Sequence, residues 1–148
     1  MNKIMSTVLG LLALLLASCG GPTREAQAVL TTTAVALRTA DVEVATRYEA
    51  AALDARTRSA SWGEYDRAME AWNSVEVALR VTHAALLTSQ AGLDAWRAGD
   101  DRGWLAAVPC LVSAIDRLRV LLEGLGVQLT PLAEALSIAA PFAGACSP

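Results

Sequence analysis

Trp62, Tyr65, Met69, Trp72, Glu76, Leu79, His83, Leu86, Gln90 and Leu93 follow one another at spacings that alternate between three and four residues. Only an α-helix returns the same face at that interval, so this run constrains the chain more than any other feature. One edge of the stripe, Tyr65, Trp72, Leu79, Leu86 and Leu93, is wholly apolar or aromatic. Beside it runs a seam of small residues, Ala68, Ala71, Val75, Ala78, Thr82, Ala85, Ser89 and Gly92. Small side chains let a second helix approach at the short end of the usual range of roughly 8–10 Å, and the Ala-rich segment that precedes the stripe is its expected partner. Ser61-Trp62-Gly63-Glu64 opens the helix as a capping box: the Ser side chain accepts from the backbone N–H three residues on, and the Glu reaches back to the Ser N–H. The periodicity carries the helix to about Ala98.

The flanking segments are helical too. Thr23, after Pro22 and before Arg24-Glu25, is the expected N-cap of a first helix that runs to about Arg58. Its apolar stripe is Leu30, Ala34, Leu37, Val44, Tyr48, Ala51 and Ala55, interrupted by Asp41. Gly99 can end the second helix in a left-handed cap, and Asp100 or Asp101 can start a third. Gly103 and Pro109 leave the beginning of that helix open, but Trp104, Val108, Leu111, Ile115, Leu118, Leu122 and Leu125 form a regular stripe until Gly124 and Gly126 stop it. Thr130-Pro131 then reads as an N-cap followed by Pro at the first helical position, opening a short helix that Pro141 ends. Strict apolar alternation of the β-strand kind is missing throughout. The expected fold is all-α, an up-down helical bundle of two long and two shorter helices.

The first residues stand apart from this pattern. Ile4 to Ala17 is an almost unbroken apolar run, preceded by Lys3 and followed by Ser18-Cys19. It is too short for a spanning helix and has the layout of a signal peptide. Leu16-Ala17-Ser18-Cys19 resembles the lipobox of bacterial lipoproteins. That resemblance covers only the first twenty or so residues. It implies lipidation of Cys19 and cleavage before it, giving a signal peptide over 1–18, a lipidated tether over 19–22 and one helical domain over 23–148. Two or three acyl chains on one residue give stable attachment, at about 0.8 kcal/mol per buried CH₂. In the same family, Gly20 where an Asp would favour the inner membrane implies the outer membrane, with the domain facing the periplasm.

Cys110 and Cys146 are then expected to form a disulfide, since export places them in an oxidising compartment. About fifteen residues of third helix rise some 23 Å and the fourth helix returns about 16 Å, which leaves a gap that the residues from Pro141 to Cys146 can cover. Two free thiols and a bridge to another chain are the alternatives.

Composition excludes several classes of function. With 54% apolar residues and 18% charged residues the chain is not disordered. Its net charge of −3 argues against nucleic acid as a partner. The same acidic balance, 12 Lys and Arg against 15 Asp and Glu, argues against a polybasic grip on anionic lipid, so the membrane is expected to be met through the lipid on Cys19. No nucleophile elbow, phosphate loop or HExxH motif is present, no cofactor motif is recognisable, and the chain cannot assemble a zinc cluster without recruiting carboxylates. Glu76 and His83 share a helix face seven residues apart and are the one place where a ligand or acid-base site is conceivable. The alternative is a polar strip of Glu76, His83 and Gln90, or pairing with Arg38 or Arg47.

Two surfaces attract attention. A short tether holds the start of the first helix near the membrane, so the turn from Trp96 to Trp104 comes back towards the lipid. Trp96, Arg97, Arg102 and Trp104 there suit a headgroup region, unless the indoles complete the core stripes of their helices. At the other end Arg56, Arg58, Trp62 and Tyr65 form a candidate partner surface, or else a solvated turn with two buried rings. A further docking candidate is the face across the first and second helices near Trp72 and Leu79, unless the third helix alone buries it. The reading is a non-enzymatic envelope lipoprotein that binds another envelope protein or itself. Alternatives are an accessory lipoprotein of a phage or mobile element that acts in lysis or exclusion, and a ligand carrier or enzyme near Glu76 and His83.

Overall fold

The structure, a computed structural model, describes residues 21–100 and 102–146. Cys19 and the signal peptide lie outside the described residues. Four α-helices follow in order: α1 Gly21–Arg58, α2 Trp62–Arg97, α3 Arg102–Gly124 and α4 Thr130–Ala139, with one turn of 3₁₀ helix, Ala140–Phe142, after the last. The fold is the expected all-α bundle, with two helices of 38 and 36 residues and two shorter ones of 23 and 10 residues.

The first helix starts earlier than expected. It begins at Gly21, so Thr23 lies inside it instead of capping it, and two residues assigned to a tether are helical. Pro22 is compatible with a first turn, because the N–H it lacks has no partner within the helix there. On α1, Leu30, Leu37, Val44 and Ala55 are buried as the stripe predicts, but Ala34 is exposed. Ala26, Thr33 and Ala40 take its place, each fully buried. They repeat every seven residues beside Leu30, Leu37 and Val44, the interval of a helix pair that packs along a coiled-coil-like seam.

The small-residue seam of α2 meets a different neighbour from the one expected. Gly92 lies against Gly103 of α3 so closely that a Cβ built on it would stand 2.8 Å from the Gly103 carbonyl carbon and oxygen. Ten residues earlier, the Thr82 hydroxyl lies 2.8 Å from the Ala78 carbonyl of its own helix and 3.2 Å from the Ala114 carbonyl of α3. The closest pairing in the bundle is therefore α2 with α3, and α1 packs on α2 and α4.

Continuing the Gly92–Gly103 and Thr82–Ala114 register brings Gly124 level with about Trp72. Here α3 stops while α1 and α2 continue for roughly ten residues each, about 15 Å. The molecule thus has a base, where helices pack on all sides of one core, and a two-helix tip. Trp104, Leu111, Ile115, Leu118 and Leu122 of α3 fill that core with Leu30, Leu37, Leu93 and Leu132. Ala68 and Ala71, at the tip end of the seam, are exposed because α3 never reaches them.

The turns explain where each helix stops. Gly99 has φ 103° and Gly126 φ 73°, a left-handed conformation that suits glycine. At the first, Asp100 N–H donates to Ala95 O at 3.0 Å and Gly99 N–H to Trp96 O at 2.9 Å. At the second, Val127 N–H donates to Leu122 O and Gly126 N–H to Glu123 O, both at 2.9 Å. Both are Schellman motifs, and the second buries Val127 and Leu122 together in the core. The Asp100 side chain accepts from Arg102 N–H at 3.1 Å and starts α3, which runs on through Pro109. Before α4 the expected cap is displaced by one residue: Leu129 is the extended N-cap, with no side-chain bond, and Thr130 is already helical.

Cys110 and Cys146 are joined in a disulfide with their Cα atoms 4.6 Å apart. The chain after α4 thus returns to the beginning of α3. Phe142 on this returning segment meets Trp104 edge to face, with ring centroids 5.7 Å apart.

Candidate functional site

The tip is built by the link between α1 and α2. Ser59 N–H still bonds back to Ala55 O at 2.9 Å, after which the chain extends through Ser61, with φ −144° and ψ 159°. Ser61 Oγ accepts from Glu64 N–H at 3.3 Å, one half of the expected capping box. The other half is shifted by one residue. Glu64 Oε2 accepts from Ala60 N–H at 2.7 Å, in place of the N–H of Ser61.

This cap dictates where Trp62 goes. As the first residue of α2 it has no preceding helical turn to lie on, and it is 79% exposed. Its ring meets Tyr65 edge to face, centroids 5.8 Å apart and planes at 82°. Together they wall a cup of about 210 Å³ lined by Arg56, Ser59, Ala60, Ser61, Trp62 and Tyr65. Of the four residues expected at this surface, three are therefore brought together. The fourth, Arg58, is held by Asp54 at 2.6 Å and does not line the cup. The picture of a turn with two buried rings is corrected, since Trp62 is exposed and Tyr65 half-buried.

Charge is distributed unevenly around the cup. Arg56 is exposed and makes no ion pair or hydrogen bond among the described residues. Glu64 is engaged by the Ala60 N–H, and Asp54 by Arg58. Arg56 is thus the one charged group that lines the cup.

The other places named from sequence resolve differently. Glu76 pairs with Arg80 on its own helix at 3.2 Å, Gln90 reaches Asp94 at 3.3 Å, and His83 Nε2 lies 3.0 and 3.1 Å from the two carboxylate oxygens of Asp41. Glu76 and His83 are not brought into one site, and neither Arg38 nor Arg47 is their partner: Arg47 is held by Glu43. Asp41, which interrupts the apolar stripe of α1, is there to meet His83 across the helix pair. Among the described residues no three His, Cys, Asp or Glu side chains converge as a metal site would require.

At the base, Trp104 is fully buried, stacked on Trp96 at 6.2 Å with planes 23° apart and closed over by Phe142. It belongs to the core, which corrects its assignment to a headgroup contact. Trp96 is half-buried against the same core. Arg97 bonds Asp94 at 3.3 Å and the Gln27 side chain at 2.6 Å, tying the end of α2 to the beginning of α1, and Arg102 is exposed. Leu79 is buried and Trp72 packs on the core, so the docking face suggested near them is internal. Among the described residues no helix is long and apolar enough to cross a membrane.

Phe142 escaped sequence reasoning because it lies beyond the last periodic helix. The free state of Arg56 escaped it too, since the i−4 pairing of Arg58 with Asp54 is visible in the sequence but the lack of a partner for Arg56 is not. Compared with protein-family models, with characterised proteins and with solved structures, the chain shows no match.

Proposed function

We propose that this protein is a non-enzymatic lipoprotein of the cell envelope, a helical bundle tethered through lipid on Cys19 that presents the α1–α2 tip to a partner protein. The outer membrane, with the bundle in the periplasm, is the setting that Gly20 favours. The observation that carries the reading is the exposure of Trp62 at the end of the bundle opposite Gly21. Burying such a ring against a partner is worth more than most surface contacts. Trp, Tyr and Arg, the three large side chains around the cup, are the types enriched where binding energy concentrates. Leu16-Ala17-Ser18-Cys19 supports the anchor, and the lack of any catalytic motif supports a binding or structural role.

The test is fractionation and proximity labelling of the full-length protein in its native host, beside Cys19→Ser and Trp62→Ser forms. The wild type should sediment with the outer membrane and label one envelope protein. Cys19→Ser should leave the membrane, and Trp62→Ser should stay there but lose the partner. A serine form at position 19 that fractionates like wild type refutes the anchor, and an unchanged labelling pattern with Trp62→Ser refutes the tip.

A further inference from the structure

We infer that the cup at the tip accepts an acidic, apolar peptide segment: an apolar side chain seated against Trp62 and Tyr65, with a neighbouring carboxylate on Arg56. This rests on the partner-binding reading above and names the chemistry of the partner. The argument is one of complementarity. The chain as a whole carries a net charge of −3, yet the only charged side chain lining the cup is a cation. Of the acidic groups near the cup in sequence, Asp54 is held by Arg58 and Glu64 accepts from the Ala60 N–H, and no carboxylate is among the residues that line it. Arg56 makes no ion pair or hydrogen bond among the described residues, so its donors are free. A guanidinium offers a planar fork that a carboxylate fills with two parallel hydrogen bonds.

The shape supplies the second half. Trp62 contributes an exposed ring and Tyr65 an edge to it, and the space of about 210 Å³ between them and Arg56 is open towards solvent at the end of the bundle. An apolar side chain entering there removes the indole face from water, while the carboxylate beside it stays near the rim. A basic segment would set its charge against Arg56 with no carboxylate in the lining to offset it. A second copy of this chain is the competing occupant, and the test separates it.

The experiment uses the full-length lipidated protein in detergent micelles. The probes are three fluorescein-labelled, end-blocked hexapeptides: one alternating leucine and glutamate, one alternating leucine and lysine, one alternating serine and glutamate. Binding is read by fluorescence anisotropy. The leucine–glutamate peptide should bind at least tenfold tighter than either of the others, and its affinity should fall as salt is raised, as expected for an exposed charge pair. Arg56→Glu should reverse the preference towards leucine–lysine, and Trp62→Ser should weaken both apolar peptides at least tenfold. Arg56 and Trp62 are exposed, and unchanged circular dichroism of the variants will show that the bundle is intact.

Equal binding of the leucine–glutamate and leucine–lysine peptides, or an Arg56→Glu form with the wild-type preference, overturns the inference. So does sedimentation showing a dimer that Trp62→Ser dissociates, since a second copy then fills the cup. If no peptide binds but the Trp62-dependent labelling of one envelope protein persists in cells, the acidic chemistry is wrong and the partner-binding reading stands. Failure of both removes both.

Discussion

Thr33, Thr82 and Ser89 are buried polar residues with unequal satisfaction. Thr82 has two carbonyls within reach, one of them on α3. The hydroxyls of Thr33 and Ser89 have no hydrogen-bond partner among the described residues. An unpaired buried hydroxyl costs its desolvation without a return, so Thr33→Val should raise stability by up to about 1 kcal/mol, whereas Thr82→Val should lower it by about 1 kcal/mol. Urea denaturation of the two variants checks both signs. The glycines of the α2–α3 crossing are unequal in the same way. A Cβ on Gly92 would stand 2.8 Å from backbone atoms of Gly103, but a Cβ on Gly103 would meet nothing nearer than 3.4 Å. Gly92→Ala must push the helices apart and should cost about 1–3 kcal/mol. Gly103→Ala should stay within about 1 kcal/mol of wild type, because the helix propensity gained offsets the tight fit.

The periodicity of a helix states which face is buried but not what buries it, and this is where the elements of the bundle were legible and where they were not. The stripe of α3, the two Schellman glycines and the Ser61 cap all depend on residues within a few positions of one another, and each is found in the structure with at most a one-residue slip. On α2 only Met69, Leu79 and Leu93 of the expected stripe are buried, and the small-residue seam of Val75, Ala78, Thr82, Ser89 and Gly92 is the more buried edge. The neighbour of the small-residue seam depends on how far α3 runs, a length set by Gly124 and Gly126 in another part of the chain. Ala34 looked like a core residue because it is apolar, while Thr33, a turn-mate with a hydroxyl, holds the inside position. The tip was recognised from its residue types, but the exposure of Trp62 follows only from its place as the first residue of α2. That place depends on the cap: Ser61→Ala should cost about 1 kcal/mol in thermal unfolding and blunt the edge-to-face contact of Trp62 with Tyr65. On α3, Asp116 and then Glu123 hold the Arg119 guanidinium above the ordinary range of an arginine. A base raised in this way contributes fully at neutral pH, below the unfolded arginine range, and loses its contribution only as the pH rises through that range and beyond.

For the molecule as a whole, the disulfide holds the returning C-terminal segment on the base. It closes a loop of 36 residues, for which chain entropy gives a contribution of about 3–4 kcal/mol. The double variant Cys110→Ser/Cys146→Ser should lose that amount in chemical denaturation. It should also shift tryptophan emission to the red, because Phe142 is then no longer pinned over Trp104. The base and the tip should differ in their local opening as well. Amides near Leu111–Leu122, beneath a core covered on every side, should exchange hydrogen at the rate of global unfolding, and those of residues 50–70 much faster. Uniform protection along α1 would show that the two-helix tip is as cooperative as the base.

Gln27 against Arg97, Phe142 against Trp104 and Cys146 against Cys110 place both ends of the described chain at the same end of the bundle. A reporter fused after Cys146 therefore samples the surroundings of the base, the same neighbourhood as Gly21, and never those of the tip. Labels meant to see what the far end touches have to enter through the turn between Arg58 and Trp62. A C-terminal fusion that finds no neighbour tells only about the wrong pole of the molecule.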